Sequence, residues 1–194
     1  MKIINATPAF IIKLFSKIFT KQNCCGCIIF FLMAFAEANA QTDSGTVSKS
    51  QAQTIPSIDI KDLNGKMVNT SSFSNNGKPM LFVFWYSVHK FPTKELDAIE
   101  ENYEAWKKET GVKVIVISVD DSRTSAQVLP IVNAKGWDFD FYLDINSDFK
   151  RAMNVNLLPQ TFLINGTGEI IWNTIGFMDG DESLIYMKLK NIDN

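Results

Sequence analysis

The residues Pro79 to Trp85, PMLFVFW, form an uninterrupted apolar run. It is too short to cross a membrane and has no polar alternation, so it reads as a strand buried on both faces. Such a strand obliges the chain to supply packing layers above and below it, and the following residues do so. Thr93 to Thr110 reads as a helix, with Leu96, Ile99, Tyr103 and Trp106 on one face, Glu and Lys opposite, and Gly111 as its stop. Val112 to Val119 is a second buried strand, rich in Val and Ile.

The flanking sequence completes a sheet. Ile58 and Ile60 alternate with acids, and Asn64-Gly65 then supplies a hairpin turn. Ser125 to Lys135 reads as helical, with a break or kink before Pro130. Phe139, Phe141 and Leu143 alternate as a short strand, and Asp148 to Met153 forms a short helix. Thr161 to Asn165 and Ile170 to Ile175 pair as a hairpin through Gly166-Thr167-Gly168-Glu169, and Glu182 to Asn191 is a closing amphipathic helix. Strands that alternate with helices and then close with a hairpin and helix predict an α/β fold: a central mixed sheet flanked by helices on both faces.

The N-terminus belongs to export rather than to this fold. Lys2, Lys13, Lys17 and Lys21 make a positive region ahead of the apolar stretch Cys24 to Ala36, and Ala38-Asn39-Ala40 is a small-x-small cleavage site. Residues 1–40 are expected to be a signal peptide, 41–56 a flexible Ser/Thr/Gln-rich linker, and 57–194 the folded domain. Localisation in the periplasm or cell envelope follows, with a membrane tether if the leader is retained and no membrane span after cleavage. All three cysteines, Cys24, Cys25 and Cys27, lie in the leader. Cysteine behaves as a small hydrophobe in an apolar run, and the aliphatic residue that lipidation requires three places earlier is missing before Cys27, where Cys24 stands. Residues 41–194 carry 15 basic and 20 acidic side chains, hence −5. With no basic cluster, nucleic-acid binding is not expected.

Four segments in order, DLNGKMVNTSSF, PMLFVFWYS, VIVISVDDS and MNVNLLPQTFLINGTGEIIW, together resemble the thioredoxin superfamily, and within it the exported TlpA/ResA-like (redoxin) thiol–disulfide oxidoreductases. The resemblance implies a thioredoxin-like fold with an N-terminal β-hairpin, a cis-proline at Pro159, and a Cys-x-x-Cys pair at the helix start. That pair is replaced. The turn reads His89, Lys90, Phe91, Pro92. Pro159 matches the family's cis-proline, with Leu158 as the backbone that would pair with an extended substrate, and Glu95 matches an acid often placed just after the second cysteine.

Disulfide exchange needs an attacking thiolate and a resolving thiol. Imidazole forms no mixed disulfide, and proline offers no nucleophile. A peroxidase reading fails for want of a peroxidatic cysteine. His89 is the only histidine, too little for a metal site, and reads as a polar residue on an exposed turn. Pro92 suits the first turn of a helix. Phe91 either sits at the rim of the former active site or turns into the core. Trp85, Trp106, Trp137 and Trp172 read as core aromatics, and Asp120-Asp121 as a solvated strand-end turn. The expected function is binding of an extended peptide or an envelope protein at Phe91, Glu95, Leu158 and Pro159, without cofactor or metal. Two alternatives stand beside it: a structural domain in an envelope assembly, and oxidoreductase activity that uses retained leader cysteines or a non-thiol mechanism at His89. If the leader is removed after Ala40, a thiol assay on the denatured exported protein finds no free cysteine; one or more thiols per chain contradicts cleavage.

Overall fold

The computed structural model of the chain describes residues 53–88 and 90–192, with side chains described in its first helix from Thr93 onward. Seven strands form one sheet: β1 (Asp59–Asp62), β2 (Met67–Asn69), β3 (Met80–Trp85), β4 (Lys113–Ser118), β5 (Asp140–Leu143), β6 (Gln160–Ile164) and β7 (Ile170–Ile175). Their spatial order is β2-β1-β5-β4-β3-β6-β7. β3 pairs in parallel with β4, and β4 with β5; every other pairing is antiparallel. Among the described residues, four α-helices flank the sheet: α1 (Lys90–Thr110), α2 (Val128–Lys135), α3 (Asp148–Ala152) and α4 (Asp181–Lys190). The mixed sheet predicted from the sequence is present.

All six residues of β3 are buried, and side-chain alternation divides them between two cores. Leu81, Val83 and Trp85 pack with Leu96, Ile99, Tyr103 and Trp106 of α1 and with Ile185 and Leu189 of α4. Phe82 and Phe84 pack on the other face with Ile115, Ile117, Phe149, Met153 and Phe162. Burying one such aliphatic side chain fully contributes about 1.5–3 kcal/mol. The helical stripe read from the sequence is therefore the contact surface of α1, and Leu96 and Ile99 are completely buried.

Local chemistry fixes the connections. In the β1–β2 turn, Asp62 Oδ1 accepts from the backbone N–H groups of Asn64 and Lys66, both at 2.9 Å. Gly65 takes φ +81 there, a left-handed geometry that costs glycine little. α1 stops at Gly111, φ +68, whose N–H donates to the Lys107 carbonyl. Gly166 is required for a different reason: a Cβ there would meet the carbonyl oxygen of Gly77 at 2.1 Å. The β6–β7 turn thus lies directly against the loop that feeds β3.

Three boundaries differ from the sequence reading. α1 begins at Lys90, not Thr93, because a proline in the first helical turn leaves no intrahelical bond unmade; Pro92 is its third residue. The segment before Pro130 is a 3-10 turn, Ser125–Gln127, that passes into α2. Finally, the packed domain takes in residues before Ser57. Thr54 bridges Glu169, the Gln53 carbonyl accepts from the Ile170 N–H at 2.8 Å, and Thr70 Oγ1 donates to the Pro56 carbonyl. The signal-peptide reading and Cys24, Cys25 and Cys27 lie outside the described residues.

Candidate functional site

The turn between β3 and α1 is held from beneath by one carboxylate. Asp120 Oδ2 accepts from the Ser87 N–H at 3.0 Å, and Oδ1 from Ser87 Oγ at 2.6 Å. Ser118 Oγ donates to Oδ2 at 2.7 Å. Asp120 is completely buried, so the expectation of a solvated strand-end turn fails for it. The buried strand VIVIS delivers it inward, and three charge-assisted bonds offset its desolvation. Asp121 alone is the surface residue of the pair, accepting from the Arg123 side chain and the Thr124 N–H. The Val119 N–H donates to the Trp85 carbonyl at 3.0 Å, which adds a second tie between the ends of β3 and β4.

Ser87 lies two residues ahead of His89, so Asp120 anchors the approach to the His89–Pro92 segment. His89 itself lies outside the described residues, as do the side chains of Lys90, Phe91 and Pro92; the backbone of Lys90 to Pro92 is helical. Whether Phe91 faces the rim or the core therefore lies outside the described residues too. Val88, next to the motif, is 47% exposed.

The second wall is the start of β6. The Leu158–Pro159 bond is cis, as expected. β6 pairs with β3 through Gln160↔Phe84, so one step further along this register Pro159 falls opposite Trp85, at the mouth of the turn. The Pro159 carbonyl accepts from the Gly176 N–H at 2.8 Å, which ties the strand start to the end of β7. Pro159 is buried, Leu158 half-buried and Leu157 exposed. Among the described residues, the backbone of Leu157 and Leu158 makes no hydrogen bond. A groove of about 320 Å³ runs between α1 and the segment after β7, lined by Lys94, Asp97, Phe177 and Asp179 among others.

Glu95 was expected to meet a partner. It is instead only 1% exposed, because it shares the helical face of Leu96 and Ile99. Its Oε1 accepts from Thr161 Oγ1 at 2.6 Å, which joins α1 to β6 two residues past Pro159. Burial raises its pKa from 4.5 to about 7; the Thr161 hydrogen bond opposes that rise and the Asp181 carboxylate adds to it. Glu95 therefore lies beneath the surface, between α1 and β6.

Three buried side-chain atoms have no hydrogen-bond partner among the described residues: Trp85 Nε1, Glu95 Oε2 and Gln160 Oε1. All three belong to residues at this end of the sheet. Buried polar groups are otherwise paired in folded proteins, so this concentration separates the site from the rest of the core. Among the described residues no group of three or more His, Cys, Asp or Glu could hold a metal. Sequence reasoning missed Asp120, Ser87, Thr161 and Gln160. The signal for Asp120 was present: an acid that directly continues a buried strand is itself a candidate for burial.

A parallel β3–β4–β5 core, an antiparallel β6–β7 flank, and a proline edge facing the N-terminus of a long helix together define the thioredoxin fold. The AhpC/TSA family model matches residues 52–173, and the chain belongs to that redoxin family. It is 30% identical over 148 residues to the thiol-disulfide oxidoreductase ResA of Bacillus subtilis (strain 168), covering 75% of this chain and 79% of that one. Among solved structures, an uncharacterized thioredoxin-like protein from Porphyromonas gingivalis is 38% identical with a TM-score of 0.65, over 71% of this chain and 90% of that one. StoA from Bacillus subtilis, 22% identical with a TM-score of 0.54, covers 69% of this chain and 97% of its own; it shows the fold alone.

The Glu95 environment generates a pH dependence. Burial raises the folded pKa to about 7 from the ordinary 4.5, so the unfolded chain loses its proton first as pH rises. The stabilisation is complete below about pH 4.5, declines through the interval, and is gone above about pH 7, a change on the order of 3 kcal/mol from this group. Denaturant unfolding at stepped pH measures it. Glu95→Gln removes this slope between pH 4.5 and 7, while an unchanged slope would assign the effect to another group.

Proposed function

We propose that this chain is an exported member of its family that binds an extended peptide or partner protein and performs no disulfide exchange. The observation that carries the reading is a site whose supports are in place while no cysteine occurs after Cys27. Ser87 is anchored on Asp120, and Glu95 joins α1 to β6 through Thr161. The helix N-terminus that would favour a thiolate has no thiol to act on.

A binding role uses what is left. Val88 at 47% exposure and Leu157 at 64% flank the turn and the Leu158–Pro159 edge. The backbone of Leu157 and Leu158, without a hydrogen bond among the described residues, offers main-chain hydrogen bonds, and the neighbouring apolar side chains offer contact area. Strand addition to an exposed edge combines these two. Thiol–disulfide oxidoreductase is the name of the Bacillus subtilis relative; the reading keeps that protein's architecture and not its chemistry.

The experiment restores the sulfur. The native protein is expected to show no reductase activity toward an insulin-type disulfide substrate. His89→Cys with Pro92→Cys places two thiols at the start of α1 with two residues between them. That variant is expected to close an internal disulfide and to turn over when given an electron donor, whereas either single change traps mixed disulfides without turnover. Activity in the native protein overturns the proposal. A folded double variant that neither closes nor turns over shows that the turn no longer has exchange geometry, which removes the structural basis for a ligand site there.

A further inference from the structure

The sequence holds three Asn-Gly pairs, Asn64-Gly65, Asn76-Gly77 and Asn165-Gly166. Each is a turn signal with a chemical weakness. The glycine nitrogen can attack the side-chain carbonyl of the preceding asparagine because no Cβ screens it. The reaction needs an unengaged glycine N–H and an asparagine side chain free to swing toward it. The fold withholds one or the other at two of the three pairs.

After Asn64, the Gly65 N–H donates to the Asp62 carbonyl at 3.0 Å. At Asn165 the side chain is held instead. Its Oδ1 accepts from the Thr167 N–H at 3.0 Å, from Thr167 Oγ1 at 2.7 Å and from the Glu169 N–H at 2.9 Å, and its Nδ2 donates to Glu169 Oε2 at 2.9 Å. Asn76 differs from both. It sits at the exposed tip of a turn closed by the Lys78 N–H, which donates to the Asn75 carbonyl at 2.9 Å. The two central residues take φ +52 at Asn76 and +78 at Gly77. Among the described residues, neither the Asn76 side chain nor the Gly77 N–H makes a hydrogen bond; the Asn76 N–H alone donates, to Ser74 Oγ.

We propose that Asn76 is a site of spontaneous backbone modification, through a succinimide formed with Gly77. The Gly77 nitrogen gives up its proton and bonds to the Asn76 side-chain carbonyl carbon. The bond from that carbon to the amide nitrogen breaks, and ammonia leaves. Water then opens the ring. Addition at the side-chain carbonyl gives aspartate. Addition at the main-chain carbonyl gives isoaspartate, in which the chain runs through Cβ and Cγ and is one atom longer. Either product adds a carboxylate to Ser71–Gly77, a stretch without charge. The longer backbone cannot be absorbed toward the β6–β7 turn, because a Cβ on Gly166 would already meet the Gly77 carbonyl oxygen at 2.1 Å. Pro79 follows and leads into β3 at Met80, so the isoaspartate form loosens the entry to the central strand. This is the opposite end of β3 from the candidate site, and the inference does not depend on what that site binds.

Peptide mapping by mass spectrometry tests this on the folded protein held in mildly alkaline buffer. Each engaged group must give up its hydrogen bonds before the ring can close. Deamidation is therefore expected several-fold faster at Asn76 than at Asn64, and about ten-fold or more faster than at Asn165. In denaturant the three rates are expected to converge, which shows that the fold and not the neighbouring sequence sets the order. Asn76→Gln, which would have to close a larger ring, is expected to abolish the fast step and leave the other two sites unchanged. Deamidation in the folded protein that is no faster at Asn76 than at Asn64 or Asn165 overturns the proposal, and so does an order that persists unchanged in denaturant. The isoaspartate fraction, once separated, is expected to unfold at lower denaturant concentration than fresh protein; an equal midpoint overturns the structural consequence drawn at Gly166.

Discussion

The burial of β3 on both faces is the constraint from which the rest follows. Six consecutive buried residues need backbone partners on both edges, supplied by β4 and β6, and a packed layer on each face. Alternation then sends Leu81, Val83 and Trp85 to the α1–α4 side and Phe82 and Phe84 to the α3 side. The C-terminal end of that strand cannot move without disturbing both cores. A turn placed there inherits its rigidity, which is the property a recognition or catalytic site requires.

Two carboxyls transmit that rigidity to the turn in opposite ways. Asp120 is buried and fully engaged, accepting from Ser87 and Ser118. Glu95 is buried and half engaged, with Thr161 on one oxygen and no partner among the described residues on the other. The first fixes the start of the turn; the second leaves an unfulfilled polar group under the same few residues. Structures that meet every local rule elsewhere and break one at a single place tend to break it at a functional site.

Much of this was legible in the sequence. The apolar run, the i, i+3, i+7 stripe of α1 and the Asn-Gly turn each dictate local structure through side-chain periodicity, and each appears where it was read. The cis Leu158–Pro159 bond came from resemblance, not from physics visible in the residues. The start of α1 was misplaced because Pro92 can be read either as the residue before a helix or as part of its first turn. The burial of Glu95 and Asp120 was not legible for one shared reason. A charged residue is read as exposed by default, and only the tertiary partners Thr161 and Ser87, 66 and 33 positions away, reveal that burial is tolerated. The occupied start of the β7 edge was hidden because Gln53 and Thr54 bind through backbone, which composition does not register.

Within the AhpC/TSA family, then, this chain joins a well-supported site to a motif without sulfur. The proposed binding role requires that the edge at Leu158 receive a partner. Site-specific photocrosslinking in living cells measures this most directly, with the crosslinker at Leu157, 64% exposed beside that edge, and a control at Met67, 53% exposed on β2. The account predicts a discrete crosslinked species from position 157 and none from position 67. Equal capture at both positions, or no capture at 157, would contradict it.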